Sequence, residues 1–157
     1  MIQVRPGHQR VAGALDLPFP ARELRVRLPS GTEIRCVHAG AGRRRLVLLA
    51  HPAVTGLRYP PLLELAVALQ KDLDVAFFDF QGHGNSGGRC SLDPLGPAAD
   101  LRAVERVFRG LGYGWVGAVG FSLGGMAAIT AASRWGCLDA VVSVGAPPRL
   151  PDFERLV

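Results

Sequence analysis

Four short apolar runs, separated by stretches of helical pattern, restrict this sequence more than anything else in it. They are Leu46-Val47-Leu48-Leu49-Ala50, Asp74-Val75-Ala76-Phe77-Phe78-Asp79-Phe80, Trp115-Val116-Gly117-Ala118-Val119 and Ala140-Val141-Val142-Ser143-Val144. The first two lack the apolar–polar alternation of a half-exposed strand, so both of their faces have to be covered, as in a parallel sheet. Between the first two, Pro60 to Lys71 sets Leu62, Leu63, Leu65, Ala66 and Leu69 at helical spacing, with prolines near its start. Ala98 to Leu111 places Leu101, Val104, Val107 and Leu111 on one helical face. A hairpin precedes them: Leu24 to Leu28 alternates, Pro29-Ser30-Gly31 turns, and Thr32 to His38 returns. The expected architecture is α/β, a mostly parallel sheet with helices on both faces. Residues 1–21, broken by Pro6, Pro18 and Pro20, are expected to be an irregular leader, and residues 22–157 a single domain.

Composition narrows the function classes. At 157 residues with 48% hydrophobic and 20% charged residues, the chain can bury about two-thirds of its unfolded surface, and disorder is excluded. The net charge of +5 is carried by scattered arginines, and Lys71 is the only lysine. Arg43-Arg44-Arg45 has no aromatic platform beside it and reads as a solvated strand edge, so no nucleic-acid partner is expected. Cys36, Cys90 and Cys137 are odd in number and far apart, which argues against a disulfide framework or a zinc site. No stretch is long and apolar enough for a membrane span or a signal-peptide core, and a cytoplasmic location is expected.

Gly120-Phe121-Ser122-Leu123-Gly124 joins the third apolar run to Leu123–Arg134, an Ala- and Gly-rich stretch compatible with a helix. A Gly-x-Ser-x-Gly at such a junction is the pattern of a nucleophile elbow, with the serine on a strained turn and its hydroxyl exposed. The turn is tight enough that a Cβ two residues before or after the serine collides with neighbouring backbone. The serine also stands at a helix N-terminus, which favours developing negative charge. A second glycine pattern, Gly112-Tyr113-Gly114-Trp115-Val116-Gly117, matches the dinucleotide fingerprint in spelling only. It leads into a strand instead of following one, so no nucleotide cofactor is expected.

With these motifs in place the chain resembles the α/β-hydrolase superfamily over about residues 22 to 148. His51-Pro52-Ala53-Val54-Thr55-Gly56 is similar to its oxyanion loop. Asp79-Phe80-Gln81-Gly82-His83-Gly84-Asn85-Ser86 is similar to its Asp-x-Arg-Gly-x-Gly-x-Ser segment, and Gly120 to Gly124 to its elbow. The resemblance is nearest to the serine-aminopeptidase, lysophospholipase and small-esterase branches. It implies a serine hydrolase acting on a small acyl-containing substrate (ester, thioester or amide), with Ser122 as nucleophile and the backbone N–H groups of Ala53 and Leu123 as oxyanion donors. It implies no cofactor and no metal. Two positions depart from the pattern: Pro52 stands for a glycine, which leaves the Ala53 donor intact, and Gln81 stands for an arginine.

A serine needs a base and an orienting acid. In the family these follow strands beyond the one ending at Val144, so the resemblance implies a fold lacking its C-terminal strands. Asp152 is the candidate acid, beside Glu154. His8 reads as solvated and His38 as structural. His51 and His83 lie at the same sheet edge as Ser122, in positions that shape loops rather than serve as base, and Asp79 and Asp100 read as structural. The Val141–Val144 strand is expected to present an unpaired edge, open to a second chain or to self-association. The favoured expectation is a truncated hydrolase, weakly active or inactive as it stands. The alternative is a non-catalytic remnant or binding protein.

Overall fold

The apolar runs alternate between two cores, which is what a strand covered on both faces requires. The computed structural model describes residues 4–6 and 17–147. Among these, β1 (Val4–Pro6), β2 (Arg22–Arg27), β3 (Glu33–Ala39), β4 (Arg45–Ala50), β5 (Asp74–Phe78), β6 (Trp115–Phe121) and β7 (Ala140–Val144) form one sheet. Its order is β1-β2-β3-β5-β4-β6-β7. The helices are α1 (Pro60–Leu69), α2 (Leu95–Gly110) and α3 (Leu123–Trp135). Leu46, Leu48, Ala50, Ala76 and Phe78 face a core closed by Leu101, Val104 and Phe108 of α2 and Ala127, Ala128 and Ala131 of α3. The intervening Val47, Leu49, Val75 and Phe77 face Leu62 and Ala66 of α1.

The sheet divides into two regimes. β5, β4, β6 and β7 run parallel, with Leu48 opposite Ala76 and Ala118, and Ala50 opposite Gly120. The hairpin β2–β3 packs antiparallel on β5 and extends the sheet sideways. Val4–Pro6, inside the leader expected to be irregular, forms an antiparallel edge strand with Val4 opposite Val26. Three residues ending in proline carry too little pattern to be read as a strand, and an edge is where proline is tolerated. At the other side β7 has no outer partner strand among the described residues, with Val142 53% and Val144 42% exposed. Asp152 and Glu154 lie outside the described residues.

A polar chain closes the amino ends of the parallel strands. Arg22 Nε donates to His38 Nδ1 (3.2 Å), which leaves the proton on Nε2, 2.7 Å from the Tyr113 hydroxyl. Tyr113 in turn donates to Asp74 Oδ2 (2.7 Å), and the Ala41 and Arg43 N–H groups also donate to Asp74. His38 is thus structural. Burial, helped by the Arg22 charge, lowers its pKa to about 4 from 6.5.

This sets a pH dependence. Between about pH 6.5 and pH 4 the unfolded chain takes up a proton that the folded protein refuses, so stability rises with pH across that window. The contribution is complete above pH 6.5 and is lost as pH falls toward 4, a span of ~3 kcal/mol. Urea denaturation at several pH values is expected to show this slope, and His38→Asn to flatten it by up to about one proton.

Candidate active site

A single residue joins β6 to α3, and its backbone bears the consequence. Ser122 has φ 49° and ψ −111°, and no other non-glycine residue among those described has a positive φ. Holding a serine there costs ~1–3 kcal/mol, so its surroundings must enforce it. Its N–H donates to the Val144 carbonyl (2.8 Å) and its carbonyl accepts the Met126 N–H (3.0 Å). A Cβ on Gly120 would lie 2.2 Å from the Gly124 carbonyl, and one on Gly124 would lie 2.3 Å from the Ala50 oxygen. Gly125, absent from the motif, is held to the same rule by Ser143 Oγ at 2.4 Å. The Ser122 side chain is half-buried, and no described residue hydrogen-bonds its hydroxyl.

The neighbouring loop leaves β4 beside this turn, because Ala50 pairs with Gly120. His51 Nδ1 donates to the Pro52 carbonyl (2.7 Å), and the Phe80 N–H donates to His51 Nε2 (3.1 Å). Both nitrogens are therefore committed, and burial lowers the pKa of the ring. His83 Nε2 contacts the Ala53 carbonyl, and its Nδ1 lies 3.1 Å from the Gln81 carbonyl. Both its nitrogens therefore face carbonyl oxygens. The Ala53 N–H, by contrast, donates to no described residue, and Leu123, first in α3, has no intrahelical acceptor.

Asp79 clamps two loops together. Its Oδ1 accepts the Leu57 N–H (2.7 Å) and its Oδ2 the Asn85 N–H (3.2 Å). A Cβ at Gly84 would lie 2.3 Å from Oδ2, and one at Gly56 would lie 2.8 Å from Oδ1. Ser86 Oγ adds a stitch, donating to the Asp79 carbonyl (2.6 Å) and accepting the Arg35 N–H (2.8 Å). Gln81 donates through both its backbone N–H and its side chain to Asp100 (2.9 and 2.7 Å), whose burial raises its pKa.

Ser122, Leu123 and Ala53 thus share one end of the sheet. His51 and His83 join them without a free lone pair aimed at Ser122. Asp152 lies outside the described residues. The clamp by Asp79 escaped the sequence reading, although glycines at 56 and 84 on either side of a buried acid were its visible sign. Among the described residues no group of three His, Cys, Asp or Glu could hold a metal ion, and no helix is long and apolar enough to cross a membrane.

Solved structures share this fold. An esterase from Pyrococcus furiosus superposes with a TM-score of 0.77 at 24% identity, over 90% of this chain and 56% of its own. An α/β serine hydrolase without a lid from Xanthomonas campestris gives 0.72 at 23%, over 90% of this chain and 67% of that one. A serine hydrolase homologue from Coxiella burnetii gives 0.72 at 23%, over 86% and 67%. The chain has the α/β-hydrolase fold. It spans about half the length of the Pyrococcus esterase. No protein-family model matches the sequence, and neither does any curated protein sequence.

In an α/β-hydrolase fold the strain at the elbow has a measurable signature. Ser122→Gly is expected to raise stability by ~1–2 kcal/mol, because glycine occupies this φ without penalty, whereas Ser122→Ala is expected to leave it nearly unchanged. Guanidinium denaturation of the two variants side by side checks this.

Proposed function

We propose that the chain carries the nucleophilic half of a serine hydrolase that acts on ester, thioester or amide bonds. The observation that carries the proposal is the Ser122 backbone, strained at a strand-to-helix turn that packing enforces. Backbone strain of this kind clusters at sites that use it. In the proposed reaction Ser122 Oγ attacks the acyl carbon, and the Ala53 and Leu123 N–H groups receive the oxyanion. Fixed backbone donors of this kind contribute about 3–4 kcal/mol each to the transition state. The leaving group then departs with a proton, and water releases the acyl group from Ser122. The structural neighbours, an esterase and an α/β serine hydrolase, favour the same chemistry.

The step that the described residues do not supply is removal of the serine proton. His51 has its Nε2 lone pair on the Phe80 N–H, and His83 is turned to the Ala53 and Gln81 carbonyls. On this proposal the base comes from outside the described residues, and Asp152 is the acid. That gap is also what favours the second reading, a hydrolase scaffold without turnover.

A fluorophosphonate probe separates them. With the chain extended by whatever coding sequence follows Val157 in the genome, Ser122-dependent labelling is expected. Absence of labelling that Ser122→Ala removes sinks the proposal and leaves the non-catalytic reading. For the 157-residue chain alone, p-nitrophenyl acetate turnover is expected near background, and His51→Asn is expected to change it little.

A further inference from the structure

On the face away from α1, the β2–β3 turn, α2 and the end of α3 border an open cavity of about 310 Å³. Leu28 and Pro29 line it from the turn, Ala103 from α2 and Trp135 from α3, so its walls are mainly apolar. That volume is at the lower end of those that hold small ligands. Two arginines of α2, Arg102 and Arg106, also line it. They stand four residues apart and therefore share one helical face, where like charges oppose each other.

Neither arginine forms an ion pair with a carboxylate among the described residues. The ion pairs among the described residues involve Arg25, Arg35, Arg43 and Arg109. Glu105 and Asp139, two of the acids of that region, are both taken by Arg109. The Arg102 guanidinium instead lies over the Trp135 ring at 4.7 Å. Asp100 also lines the cavity, with both carboxylate oxygens engaged by Gln81. Two guanidinium groups against the one carboxylate of Asp100 leave the lining with an excess of positive charge beside an aromatic wall, which suits an apolar molecule with an anionic head.

We propose that this cavity binds a small amphipathic carboxylate, its apolar body against Leu28, Ala103 and Trp135 and its head between Arg102 and Arg106. Guanidinium groups present paired N–H donors in a fixed fork that a carboxylate accepts with both oxygens. The occupant is a free small molecule. Binding breaks and forms no covalent bond, and it does not depend on the chemistry proposed at Ser122.

Trp135 supplies the readout. Trp115→Phe leaves it the only tryptophan of the chain, since there are two in all. Octanoate, octanol and inorganic phosphate are titrated into the 157-residue Trp115→Phe protein while Trp135 emission is followed. Octanoate is expected to give a saturable change, with octanol and phosphate each roughly tenfold weaker or worse. Arg102→Gln/Arg106→Gln is expected to weaken octanoate by roughly tenfold with far-ultraviolet circular dichroism unchanged. Ala99→Phe, an exposed position on the cavity lining, is expected to block binding with both arginines in place. Octanol binding as tightly as octanoate overturns the proposal, because the cavity then reads only apolar surface. Phosphate binding as tightly overturns it too, because the arginines then act as a bare anion patch. Unchanged octanoate affinity in either folded variant has the same result.

Discussion

The contact between Gly124 and the Ala50 carbonyl is the constraint on which the arrangement rests. It brings the first turn of α3 against the end of β4 with no room for even a methyl group. Because Ala50 pairs with Gly120, that approach fixes the strand, the turn and the helix start together. The unusual dihedral angles at Ser122 follow from it. With the strand held on one side and the helix start on the other, one residue has to absorb the whole reversal of direction.

Much of the polar structure around this turn serves position rather than chemistry. Asp79, His51, His83 and Ser86 spend their hydrogen bonds on backbone N–H and C=O groups of the loops after β4 and β5. Loops at the end of a sheet carry backbone groups that no ladder satisfies, and buried side chains take over that task. The result leaves the Ala53 N–H, like that of Leu123, without a described partner.

The sheet was legible in the sequence where burial leaves a pattern. The runs at Leu46–Ala50 and Asp74–Phe78 could be read because a strand covered on both faces tolerates almost nothing polar, and the elbow because glycine is forced on both sides of Ser122. β1 was not legible, since its three residues at an edge obey no periodicity. Neither was the start of α2, three residues before the expected Ala98, because the Asp93 carboxylate receives the Leu95 N–H ahead of the apolar face. In the site, glycines and apolar neighbours exposed the turn at Ser122, while the clamp at Asp79 and the state of the histidines depended on long-range pairings. Leu57 and Asp79 are 22 residues apart, and Phe80 and His51 are 29 apart. No local pattern records such partners.

The hydrogen bond from the Ser122 N–H to the Val144 carbonyl gives the exposed strand β7 a mechanical part. Strands with solvent on several sides open more readily than buried ones, through local excursions far cheaper than global unfolding. When β7 frays at Val144, the serine loses the tether on its amide, and the stored backbone strain gains a route to relax. The outermost described strand therefore acts as the latch of the turn. Holding Val144 in register also holds the Ser122 amide.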